Sequence, residues 1–126
     1  DKKLIPKKYI AENINYKNSV SNIDELIKVY DSTKIFILPS FIEGFPKVIS
    51  ESLARLRPVI IFEEIKHVVN EREGIFVCKR DEKSLIDTIT FILKNYNNIQ
   101  KKIEQNHFYT KNNFKKELLA SIENDF

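Results

Sequence analysis

Two hydrophobic rhythms run through this chain. Ile23, Leu26, Ile27 and Tyr30 recur at helical spacing, behind Ser21 or Asn22 as cap and Asp24 or Glu25 as capping partner. Asp31-Ser32-Thr33 interrupts that pattern. Three short apolar runs, 34–38, Val59–Phe62 and Ile75–Cys78, lack polar alternation, as expected of parallel strands buried on both faces. Between the first two, a helix is predicted from Pro46, taken as its first residue, to about Leu56, with Val48, Ile49, Leu53 and Leu56 inward. Arg57-Pro58 ends it. Residues 63–70 read as a short helix and 71–74 as a turn. Ser84 with Asp87 opens a helix through Leu93, its apolar positions being Leu85, Ile86, Ile89, Ile92 and Leu93. Segments 98–106 and 110–122 complete a helical C-terminal tail, anchored by Ile99, Ile103, Phe114, Leu118, Leu119 and Ile122. At the other end, residues 13–20 alternate enough for a short strand, after a basic and poorly patterned 1–12.

Strands alternating with helices define an α/β protein with a parallel sheet and right-handed crossovers. In such sheets ligands sit beyond the carboxyl ends of the strands. The loop from Pro39 to Pro46 follows a strand and precedes a helix, so it is the first place to look for chemistry.

Composition narrows the picture. A chain of 126 residues makes one domain, with a core large enough to need no staples. Apolar content of 42% with 31% charged residues excludes disorder and a membrane-spanning protein. Only 2 glycines are present, which excludes glycine-rich phosphate loops. A net charge of +3 favours solubility and gives no concentrated basic face, so no nucleic-acid partner is expected. Cys78 stands alone and reads as a small core residue, and His67 and His107 lack partner spacing, so no metal site is expected. Arg57 reads as a plain surface charge.

Glu43 lies in the strand-to-helix loop and Glu51 in the helix that follows. Pro46 to Glu51 spans roughly 8 Å at ~1.5 Å per residue, so the two carboxylates are placed to hold two ends of one extended ligand. Carboxylates accept hydrogen bonds from paired sugar hydroxyls. Gly44 permits close backbone approach, and the first amides of the helix suit an anion such as a phosphate. A nucleotide sugar combines hexose, diphosphate and ribose in that order.

The string Ile37-Leu38-Pro39-Ser40-Phe41-Ile42-Glu43-Gly44-Phe45-Pro46-Lys47-Val48-Ile49-Ser50-Glu51-Ser52-Leu53-Ala54, followed by Pro58-Val59-Ile60, resembles the donor-site signature of retaining glycosyltransferases of the two-domain GT-B fold, family four. The likeness continues through Gly74-Ile75-Phe76-Val77 and the helix from Ser84, covering roughly residues 13–95. It implies a Rossmann-like parallel sheet flanked by helices, forming part of the C-terminal domain of a GT-B fold. By the same resemblance Glu43 contacts hydroxyls of the donor sugar as the catalytic-site positioning group, and Gly44 and Phe45 present backbone amides to sugar and diphosphate. Lys47 and Val48 line the diphosphate and nucleoside side, and Glu51 holds the ribose hydroxyls. The implied activity is hexosyl transfer from a nucleotide-sugar donor to a glycan or lipid-linked acceptor, in polysaccharide biosynthesis, with no cofactor and no obligatory metal.

The family places glycine before its Pro-Val-Ile strand, where this chain has Arg57. It places two glycines and a glutamate after that strand, where this chain reads Glu63-Glu64-Ile65-Lys66-His67. Its acceptor-binding N-terminal domain is expected as a partner not contained in these residues, so that 126 residues would be inactive alone. A start at Asp1 rather than Met agrees with an excised piece. The expected location is cytoplasmic, with a peripheral position at the inner face of the membrane as an option. The competing reading is a non-catalytic α/β interaction module with a degenerate glycosyltransferase fold. A response-regulator-like domain would need acids clustered at the first strand end, which residues 1–20 do not supply.

Overall fold

A computed structural model describes residues 13–106. The elements in chain order are α1 (Ile23–Ser32), β1 (Phe36–Leu38), α2 (Lys47–Ala54), β2 (Val59–Phe62), a 3-10 segment (Glu63–Val69), β3 (Ile75–Cys78), α3 (Glu82–Lys94) and α4 (Tyr96–Glu104). The three strands form one parallel sheet in the order β1-β2-β3. Phe36 lies opposite Val59, which lies opposite Ile75. The α/β layout with a parallel sheet flanked by helices is therefore as expected. The helix expected over 110–122, His107 and the basic start 1–12 lie outside the described residues.

All four residues of β2 are buried, because this central strand is covered on both faces. Around it pack Ile49 and Leu53 of α2, Ile65 and Val68 of the 3-10 segment, Ile92 of α3, and Ile99 and Ile103 of α4. Burying one such aliphatic side chain is worth about 1.5–3 kcal/mol. The edge strands are more open, with Ile37 and Val77 exposed.

Several local expectations are corrected. Residues 13–20 form no strand. Their alternation has no neighbouring strand to pair with among the described residues, and an isolated extended segment builds no ladder. Pro46 is the N-cap of α2 rather than its first helical residue, with extended backbone angles. The helix stops at Ala54, two residues short of Leu56, which takes a positive φ of 58° and turns the chain toward Arg57. Val48 is therefore only half-buried, while Ile49 and Leu53 carry the inward face. Asp81, not Ser84, caps α3, accepting from the Ser84 N–H at 2.7 Å. α4 begins at Tyr96, directly after Asn95, so no spacer separates it from α3. Arg57 is no idle surface charge: it donates to the carbonyls of Tyr30 (3.1 Å) and Asp31 (2.9 Å) and closes the C-terminal end of α1.

Candidate functional site

Parallel strands bring their carboxyl ends to one edge of the sheet. Three segments meet there: residues 39–46 after β1, the 3-10 segment after β2, and residues 79–81 after β3. Side chains from the second and third segments grip the first. His67 donates from Nε2 to the Glu43 carbonyl at 2.8 Å, which requires the proton on that nitrogen. Arg80 donates from Nη2 to the Ser40 carbonyl at 3.3 Å.

Within the loop, the Ser40 hydroxyl donates to Glu43 Oε1 at 2.9 Å. Glu43 is half-buried. Gly44 follows with no atom within 4 Å of where a Cβ would stand, and its φ is not in the left-handed region. Neither packing nor backbone geometry demands glycine there, so the space over its backbone is open. Phe45 is 70% exposed, with the Arg72 guanidinium 5.7 Å from its ring centre. Arg72 itself donates to Ser50 Oγ at 3.2 Å and to the Val68 and Val69 carbonyls, and burial holds its pKa below the ordinary arginine value.

α2 then starts at Lys47, which is exposed. Asn22 and Asp81 close the first turns of α1 and α3 with side-chain caps. Pro46 supplies no such side-chain cap to α2; its carbonyl accepts from the Ile49 N–H at 3.2 Å, and the amides of Lys47 and Val48 precede that bond. One turn further on, Glu51 Oε2 accepts from the Tyr30 hydroxyl of α1 at 2.9 Å. Tyr30 is buried. Its pKa is raised, first by that burial and then by the hydrogen bond to the Glu51 carboxylate.

Glu43 and Glu51 thus stand on either side of the start of α2, each held by a hydroxyl rather than by a cation among the described residues. A hydroxyl fixes a carboxylate in place and leaves its negative charge intact, ready to accept from further hydroxyls. Gly44, Phe45, Lys47 and Val48 fill the stretch between them. Tyr30, His67 and Arg80 were not found from the sequence. Their contacts with this stretch span 21, 24 and 40 residues along the chain, beyond any local signature.

The fold and this edge define an α/β protein that presents a carboxylate-flanked helix start at the carboxyl ends of parallel strands. The family model described as "Glycosyl transferases group 1" matches residues 2–95, and the chain belongs to that family of glycosyltransferases. It is also similar to an uncharacterized glycosyltransferase of Haemophilus influenzae (strain ATCC 51907 / DSM 11121 / KW20 / Rd), at 27% identity over 95 residues. That match covers 70% of this chain and 27% of the relative, so the chain spans about a quarter of the relative's length. No solved structure matches the chain.

Proposed function

We propose that this chain forms the donor-binding, C-terminal part of a retaining GT-B glycosyltransferase. It binds a nucleotide sugar and, with an acceptor-binding domain, delivers the hexose to a glycan or lipid-linked acceptor. The observation that carries this reading is the pair of hydroxyl-held carboxylates, Glu43 and Glu51, flanking the uncapped start of α2. Glu43 accepts from hydroxyls of the donor sugar and stabilises positive charge developing at its anomeric carbon. The amides around Gly44 and Phe45 meet the diphosphate, helped by the positive end of the α2 dipole and by Lys47. Val48 borders the nucleoside, and Glu51, oriented by Tyr30, accepts from the two ribose hydroxyls. Transfer breaks the bond from anomeric carbon to phosphate oxygen and forms one to the acceptor oxygen, whose proton leaves. The nucleoside diphosphate departs with the electron pair. The reaction is placed on the cytoplasmic side, where nucleotide sugars are made and lipid-linked acceptors are reached at the inner membrane face. Among the described residues, no helix is long and apolar enough to cross a membrane.

The test is release of nucleoside diphosphate by the full-length protein supplied with UDP-glucose or GDP-mannose and membrane acceptor. Glu43→Ala should lower turnover by about a hundredfold, in line with loss of one group that stabilises transition-state charge. Turnover unchanged in Glu43→Ala overturns the catalytic assignment. Donor binding without any transfer by the intact protein would favour the non-catalytic module instead.

A further inference from the structure

Arg80 lies two residues beyond the end of β3 and outside the 39–46 loop, yet its guanidinium is committed to that loop. Nη2 donates to the Ser40 carbonyl at 3.3 Å, and the guanidinium carbon lies 3.8 Å from the Phe41 ring centre. The same carbon is 4.3 Å from the ring centre of Phe62, at the end of β2. Its remaining direction is fixed by Glu64, whose Oε1 accepts from Nε at 2.7 Å. Arg80 and Glu64 are each about one-third exposed, so this pair is partly shielded from solvent. The bond to Arg80 holds the Glu64 carboxyl below its ordinary pKa.

Ser40 is the link to the chemistry. Its carbonyl receives Arg80 and its hydroxyl donates to Glu43 Oε1 at 2.9 Å. A chain of contacts therefore runs Glu64–Arg80–Ser40–Glu43 across the ends of all three strands. We infer that Arg80 is a positioning residue for Glu43, acting through Ser40 and Phe41 to fix the loop in which that carboxylate sits. The inference rests on the donor-site reading of Glu43. A planar fork is needed for the job: one edge donates to Glu64, another to Ser40, while the face lies on an aromatic ring. Lysine has the charge but neither the fork nor the face.

Arg80→Lys and Arg80→Ala in the full-length protein test the inference with two readouts. Backbone NMR order parameters read the hold on the loop. Those of residues 40–43 should fall from rigid values to below about 0.6 in both variants, while Val59–Phe62 stay rigid and Gly44 and Phe45, which follow the carbonyl held by His67, change little. Titration with UDP, UDP-glucose, GDP and GDP-mannose reads the site. Affinity for the free nucleotide should stay within about twofold, and affinity for the matching nucleotide sugar should fall about tenfold. A merely structural residue would weaken both together. Wild-type order parameters over 40–43 in a folded variant overturn the inference, as does equal loss of nucleotide and nucleotide sugar. Failure of both variants to fold overturns it too, by making Arg80 a residue of the fold. If the wild type binds no nucleotide at all, the donor-site reading falls, and the order parameters still decide whether Arg80 holds the loop.

Discussion

The two glycines make opposite predictions when each is replaced by alanine. Gly74 opens β3 with φ +93°, a backbone conformation that side chains rarely adopt. A Cβ there would also run into Ile103 and stand 2.9 Å from Leu53 Cδ2. Both neighbours are 0% exposed, so neither can swing into solvent. Backbone strain of about 1–3 kcal/mol adds to overpacking of about 1–3 kcal/mol. Gly74→Ala should therefore cost about 2–6 kcal/mol out of a typical total of about 5–15 kcal/mol. At an m-value of about 1–3 kcal/mol/M, the urea midpoint should drop by about 0.7 M or more. Gly44 has open space and no left-handed backbone, so Gly44→Ala should leave stability within about 0.5 kcal/mol. The added methyl would instead stand in the space assigned to the donor. The assay is urea unfolding of both variants, followed by nucleotide-sugar titration of Gly44→Ala. A Gly74→Ala midpoint within error of wild type would refute the packing argument. A Gly44→Ala variant that loses stability like its counterpart would refute the view that its glycine serves a ligand.

Tyr30→Phe and Arg57→Ala probe the supports of α1. Burial and Glu51 raise the Tyr30 pKa, so the stability tied to its protonated hydroxyl is complete below about pH 10, the unfolded value, and is lost as pH climbs above it. Denaturant unfolding should show wild type above Tyr30→Phe by about 1 kcal/mol at neutral pH, with the gap narrowing above about pH 10. Arg57→Ala strips two hydrogen bonds from the end of α1 and should cost about 1–2 kcal/mol, read as a lower urea midpoint with faster exchange at the end of α1.

Much of the fold was legible because its rules are local. Val59-Ile60-Ile61-Phe62 is apolar at every position, which only a strand covered on both faces requires. The loop with Glu43 and the helix with Glu51 follow from proline punctuation and helical spacing. Errors arose where a local pattern needed a distant partner. Residues 13–20 alternate as a strand would but pair with no strand among the described residues. Asp81 displaced Ser84 as cap because two acceptable caps stood three residues apart, and only the backbone decided between them. Arg57 reaches across 27 residues to α1, and its role depends on a turn at Leu56 that no spacing announced. The supports of the site, Tyr30, His67 and Arg80, were invisible for the same reason. Their partners become neighbours only when three parallel strands end at one edge.

The central claim is that Glu43 serves the sugar half of a donor and Glu51 its nucleotide half. Calorimetric titration of the full-length protein with UDP, UDP-glucose, GDP and GDP-mannose tests it most directly, in wild type, Glu43→Gln and Glu51→Gln. Wild type should bind one nucleotide class. Glu43→Gln should keep the free nucleotide within about twofold and lose about tenfold or more for its sugar conjugate, whereas Glu51→Gln should weaken both by about tenfold or more. A folded wild type that binds none of the four, or two variants with the same profile, would contradict the account.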